Sequence, residues 1–194
     1  LGTSFKEIEH KFLVGPEFDR VGFLKQVRAL RPIKTNEINV SDTYYVVKGM
    51  LGHVFRHRLD SEIEQLTVKS VEATPEVRTE INLNLNPSLS PQSKEIQAFL
   101  DVFGLEWQAS IKKSVAVAYF DDCEIVFYEA STKSMTVCCV EFEATKTSDI
   151  TAAIDTLRKY EKSLGFLEKV KESRSLFEIL LLPEAPPHVV EIFG

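Results

Sequence analysis

Two carboxylates and an ammonium, Glu7, Glu9 and Lys11, occupy alternate positions near the start of the chain. In an extended strand, residues i and i+2 share a face, so these three stand together while Ile8 and Phe12 face the other way. Glu141 and Glu143 repeat the acidic pair, with Val140 and Phe142 opposite. Like charges at this spacing are about 7 Å apart, which repulsion disfavours and a hard divalent cation with carboxylate ligands favours. Arg56 and Arg58 form a basic counterpart opposite Phe55 and Leu59; Lys69 alternates with Leu66 and Val68; Arg78 and Glu80 oppose Val77, Thr79 and Ile81. Guanidinium and ammonium groups suit phosphate oxygens, the first through forked contacts and the second as point charges.

Any one of these strands alone reads as an ordinary solvated face of an antiparallel sheet. Taken together, their apolar sides offer helices a surface to pack on. If the sheet closes into a barrel, the charges point inward, and such an interior is costly unless it binds something.

The elements that position these residues are mostly strands. Phe5–Val14 ends at Gly15-Pro16, and a helix is expected over Glu17–Leu30 from Phe18, Val21, Leu24 and Val27. Val40–Val47, His53–Leu59, Gln65–Val71 and Val77–Leu85 read as a strand meander, and a helix from Ser90 runs to Gly104. Trp107–Tyr119, Glu124–Ala130 and Met135–Ala144 are further strands, followed by a helix over Asp149–Leu164 closed by Gly165. A short helix over Ser173–Leu182 and an extended tail from Pro183 to Gly194 complete the expectation. His10 and His57 fall on the faces opposite the charges, outside any tunnel.

The 194 residues suit a single domain over 1–194, with Leu1–Ser4 set aside as an expression remnant and 183–194 as a tail. With 23 basic against 29 acidic residues, the net charge of −6 argues against duplex nucleic acid and anionic membrane as partners. Cys123, Cys138 and Cys139 lack zinc-site spacing and form no disulfide framework, which fits a reducing, cytoplasmic location. No apolar stretch reaches the roughly 18 residues of a membrane span, and the first residues lack signal-peptide regions. P-loop, Rossmann, zincin and nucleophile-elbow signatures are missing.

Glu7-Ile8-Glu9-His10-Lys11-Phe12-Leu13-Val14 resembles the E-x-E-x-K opening of the CYTH superfamily, the triphosphate tunnel metalloenzymes. The resemblance continues in order over nearly the whole chain. Arg56-His57-Arg58 is similar to the family's R-x-R strand, Lys69 to its single-lysine strand, Arg78 with Glu80 to its R-x-E strand, and Lys113 to the lysine of its fifth basic strand. Glu129 precedes the late E-x-E of Glu141 and Glu143 where the family has an acid, and Arg174 matches the basic residue before the C-terminal helix. Two positions depart from the pattern: the late acid is usually Asp, and Val115 stands where an arginine often follows the fifth-strand lysine.

The resemblance implies an α+β fold, an eight-stranded antiparallel β-barrel forming a triphosphate tunnel flanked by helices. It implies Mg²⁺ or Mn²⁺ held by Glu7, Glu9, Glu129, Glu141 and Glu143. Lys11, Arg56, Arg58, Lys69, Arg78, Lys113 and Arg174 would bind phosphates, with Lys11, Glu129 and Glu141 at the chemistry. The implied activity is hydrolysis of tripolyphosphate or a small organic triphosphate, such as thiamine triphosphate or a nucleoside triphosphate, by a monomer or homodimer. Ser41-Asp42-Thr43-Tyr44-Tyr45 is similar to the D-T-Y-F stretch of class IV adenylyl cyclases, so cyclisation of ATP is the alternative, with a non-catalytic polyphosphate- or nucleotide-binding module as a third. In all three, the empty tunnel is expected to hold unrelieved basic charge, so that Arg58→Ala barely alters the unliganded melt.

Overall fold

A computed structural model of the chain describes residues 5–70, 77–146 and 149–193; the side chains of residues 5–7, 77–79 and 87 lie outside that description. The strands are β1 Phe5–Val14, β2 Lys34–Val47, β3 His53–Leu59, β4 Glu64–Ser70, β5 Val77–Asn84, β6 Leu105–Tyr119, β7 Cys123–Ser131 and β8 Thr136–Ala144. They form a closed antiparallel barrel in the order β1-β5-β4-β3-β2-β6-β7-β8. Strand β1 completes it by dividing its length: Phe5 to Ile8 pair with β5, and Glu9 to Val14 pair with β8. Closure gives each strand an inner and an outer face, so the period-2 alternation of the sequence becomes a division between tunnel and exterior.

The outer face carries the helices. Ile8, Phe12, Phe142 and Phe127 pack beneath α1 (Arg20–Ala29) and α3 (Ile150–Ser163), joined by Phe166, whose ring lies 5.1 Å from Phe12. Tyr45, Val47 and Leu66 receive Ile96 and Leu100 of α2 (Ser93–Val102). His10 is buried on this outer face, where its Nδ1–H donates to Glu161 of α3 and its Nε2 accepts from Lys171 at 2.9 Å. His57 faces outward too, with its Nε2 at 2.9 Å from Glu64.

Local chemistry adjusts the expected boundaries. Helix α1 begins after Asp19 rather than at Glu17, because the Asp19 carboxylate accepts the backbone N–H of Gly22 at 2.9 Å and caps the first turn. Helix α2 begins at Ser93 rather than Ser90, beyond Pro91, which has no backbone N–H to donate. Gly104 and Gly165 end α2 and α3 with φ of +81° and +74°, a conformation that costs glycine little. Strand β2 starts at Lys34, ahead of the expected Val40, because β6 pairs with it from Tyr119 onward and supplies ladder bonds even to the polar Asn36, Glu37 and Asn39.

The C-terminal expectations need correction. In place of a helix over Ser173–Leu182 there is a π-helical turn, Phe177–Leu181. The 183–194 segment is not extended: a 3-10 turn, Leu182–Glu184, leads into α4, Pro187–Phe193. Burial drives both, since Leu176, Phe177, Leu180, Leu181 and Val189 join Tyr44, Val46, Val54, Ile111 and Ala130 in one core and plug that end of the barrel. Pro187 sits at the first helical position, where a missing N–H costs nothing.

Candidate active site

The inner face of the β1–β8 seam is a row of acids. Cross-strand register sets Glu9 opposite Glu143 and Lys11 opposite Glu141, and β7 extends the row by setting Glu124 opposite Glu143. Directly opposed like charges destabilise a sheet. Lys11, 4% exposed, relieves part of the repulsion: its Nζ lies 3.3 Å from Oε1 of Glu9 and 3.3 Å from Oε1 of Glu141. The Tyr128 hydroxyl donates to the same Glu141 oxygen at 2.6 Å. Burial raises the pKa of Glu124, and it raises that of the Tyr128 hydroxyl further, with Glu141 adding to the shift.

Across a cavity of about 280 Å³ stand the bases. Arg56 and Lys69 share the buried Glu80: Arg56 Nη2 is 3.7 Å from its Oε1, and Lys69 is in closer contact with the same oxygen. Arg58 forks onto Asp42, with Nε donating to Oδ1 at 3.0 Å and Nη2 to Oδ2 at 3.2 Å. Lys113 approaches the same carboxylate at 2.5 Å. Asp42 is fully buried, which by itself would push its carboxyl up, yet Lys113, Arg58 and Arg56 outweigh that and hold it well below the usual carboxylate range. Lys113 is displaced downward, to about 8, by burial and then by Arg58; Asp42 pulls the other way but divides its attraction among several bases. The expected unrelieved basic charge is therefore corrected. Arg56, Arg58, Lys69, Lys113 and Lys11 each have a carboxylate within the tunnel, and Arg58→Ala removes a partner from a buried acid.

Most of the site residues expected from the sequence converge here. Glu9, Lys11, Arg56, Arg58, Lys69, Lys113, Glu141 and Glu143 all line the cavity. Glu7 and Arg78 are cross-strand partners in β1 and β5, and their side chains lie outside the described residues.

Two expected residues are not brought in. Glu129 is exposed on the outer face of β7 opposite Ser114 and Cys138, because its neighbour Tyr128 is turned into the tunnel between Val115 and Cys139. Arg174 is exposed and held by Glu172, with Nη2 at 2.7 Å; only its carbonyl approaches the site, 3.5 Å from Lys11 Nζ. Asp42, Tyr128 and Glu124 join the site without a place in the sequence's charged pairs. The alternation of Glu124, Val126 and Tyr128 carried the signal, but apolar residues on both faces of β7 hid which face was inner.

The acids are hard oxygen donors of the kind a divalent cation takes. Among the described residues, no three Asp, Glu, His or Cys side chains stand in preassembled ligand geometry. No described helix is long and apolar enough to cross a membrane.

No protein-family model matches the chain, and no curated protein matches it. Among solved structures, the PH1012 protein of Pyrococcus horikoshii OT3 superposes with a TM-score of 0.71 at 17% identity, over 90% of this chain and 99% of that one. A candidate adenylate cyclase from Vibrio parahaemolyticus gives 0.67 at 21% identity, over 91% and 98%. The chain shares their fold. A Hippeastrum protein, described as a candidate adenylyl cyclase with a dominant triphosphatase activity, gives 0.62 at 15% identity, over 94% and 97%. The closed barrel agrees with the eight-stranded antiparallel barrel expected from the sequence.

Proposed function

We propose that the chain is a triphosphatase that hydrolyses a small triphosphate inside the barrel, with Mg²⁺ or Mn²⁺ as its cofactor. The observation that carries this reading is the register that sets Glu9 against Glu143 and Lys11 against Glu141, with Arg56 and Lys69 lining the same cavity. An acid-rich seam facing a basic wall suits a polyanion that arrives with a cation. Glu9, Glu141 and Glu143 would hold the cation, Glu124 lies beside them, and Glu7 joins by the sequence resemblance. When bound, the cation supplies charge neutralisation and Lewis acidity at the phosphate oxygens.

The side chains supply the rest. Arg56 grips phosphate oxygens through its planar fork and Lys69 as a point charge, each exchanging part of its contact with Glu80 for the ligand. Lys11 turns from Glu9 and Glu141 to the bridging oxygen that becomes the leaving group. Both the Tyr128 and the Lys11 contacts of Glu141 fall on Oε1, which leaves Oε2 to accept the proton of the attacking water. Positioning and electrostatics carry such a reaction, with little covalent work for the protein. The activity described for the Hippeastrum structure supports hydrolysis over cyclisation on this fold.

The test is product analysis of the full chain with tripolyphosphate, thiamine triphosphate and ATP, each with Mg²⁺ or Mn²⁺. Orthophosphate release is expected, abolished by chelation and lowered by about two orders of magnitude in Glu9→Gln or Glu143→Gln. Cyclic AMP with pyrophosphate from ATP overturns the hydrolase reading, as does tight binding without any product.

A further inference from the structure

Helix α1 does not close fully onto the sheet beneath it. A cavity of about 140 Å³ separates them, roofed by Phe23, Leu24 and Val27 and floored by the outer face of β2, β6 and β7. Cross-strand register explains the gap. It aligns Thr35, Ala118 and Ile125 in one row and Glu37, Ala116 and Phe127 in the next, so the middle of the floor consists of the methyl groups of Ala116 and Ala118 between longer side chains. Unfilled apolar space costs stability in proportion to its volume, and one larger side chain at either alanine would close it.

This cavity is chemically unlike the tunnel. Phe23, Val27, Ala118, Ile125 and Phe127 belong to the largest apolar core, so water inside would find few partners, and apolar cavities of this kind stay dry. On the opposite face of the same strands, Lys113, Tyr119 and Glu124 point into the charged tunnel. The two spaces therefore lie back to back across one sheet and share no charged side chain.

Size, lining and rim together define an occupant. An apolar cavity of about 150 Å³ holds a benzene-sized molecule. The rings of Phe23 and Phe127, with centroids 6.5 Å apart and planes tilted by 50°, offer an aromatic guest edge and face contacts. At the rim, Arg28 and Glu37 are exposed and stand 3.9 Å apart, so their charges offset and favour neither an anion nor a cation. We propose that the space beneath α1 is a binding site for a compact, neutral aromatic molecule, separate from the tunnel and independent of the reaction proposed there.

The experiment is titration of the full chain with benzene, followed by methyl NMR and by thermal unfolding. Chemical-shift changes are expected at Val27, Ala116, Ala118 and Ile125, and benzene at about ten times Kd should raise Tm by roughly 3–6 °C. Benzoate and benzylammonium should each bind at least about tenfold more weakly, because a charge buried there is unpaired. Ala118→Leu fills the floor; it should abolish the benzene shifts and leave the benzene-free Tm equal or higher. If that variant does not fold, the wild-type methyl map decides alone. No binding up to the solubility limit of benzene, or shifts confined to methyl groups of the tunnel, overturns the proposal. So does binding of benzene by Ala118→Leu at wild-type strength, or equal binding of the charged analogues by the wild type.

Discussion

The β1–β8 seam and the Asp42 cluster are both buried and charged, and they are balanced in opposite ways. Among the described residues, Glu9, Glu141, Glu143 and Glu124 line the seam, and the Lys11 ammonium sits between Glu9 and Glu141. Around Asp42, one carboxylate holds two bases, Arg58 and Lys113, at distances from 2.5 to 3.2 Å. Among the described residues the seam carries more acid than base, and the proposed cation would balance it. The Asp42 cluster is nearly complete by itself and serves as a fixed strut between β2, β3 and β6. The same charged tunnel thus holds an acid-rich row and a paired cluster, and counting charges alone does not separate them.

The largest expected effect tests the strut. Asp42→Ala strands the buried Lys113 and the half-buried Arg58 and should cost about 3 kcal/mol of unfolding free energy in urea titrations. A cost below about 1 kcal/mol would mean that Arg58 and Lys113 find water as easily as they find Asp42. At the seam the sign is reversed: Glu143→Gln relieves repulsion, so its unliganded stability should match or exceed that of the wild type.

Ligand stabilisation follows in size. Tripolyphosphate with Mg²⁺ at about 100 times Kd should add about 2.7 kcal/mol, or roughly 5–11 °C in Tm for a chain of this length. Glu9→Gln with Glu143→Gln should remove most of the cation-dependent part. A wild-type shift below about 1 °C at millimolar ligand would count against every phosphate-binding reading.

Arg58→Ala should cost about 1–2 kcal/mol without ligand, since it removes two charge-assisted bonds while Lys113 stays on Asp42. An unchanged melt would show that Lys113 alone satisfies the acid.

The smallest effect is a pH dependence that Lys113 imposes. Its ammonium titrates at about 8 in the fold against an ordinary value of 10.5, so between these limits the unfolded chain holds the extra proton and stability rises with pH. Relative to Lys113→Gln, the wild type should gain at most about 1.4 kcal/mol per pH unit in that window and none below about pH 7. Asp42 acts at the other end. Its depressed pKa gives stability that is present above about pH 4 and lost as acid approaches the lower folded value. Parallel profiles for wild type and Lys113→Gln from pH 8 to 10 would remove the basic-side argument.

The sequence by itself determined the strand faces. Glu9 with Lys11, Arg56 with Arg58, and Glu141 with Glu143 each came to one side because a strand's period of two is local geometry, and a closed barrel turned those sides inward. The ordered motifs made the barrel itself legible. Tertiary structure decided what alternation leaves open, namely which face is inner when both are apolar, and which charges meet. Glu129 and Glu124 differ by an odd number of positions in β7, and only the pairing with β6 and β8 sends Glu124 into the tunnel and Glu129 out. The sequence marks Asp42 only as part of the Ser41–Tyr45 stretch, and it becomes a strut because β3 and β6, distant in sequence, bring Arg58 and Lys113 to its two oxygens. The C-terminal segment is similar. Its prolines suggest extension, and it coils because one end of the barrel would otherwise leave Tyr44, Val54 and Ile111 facing water.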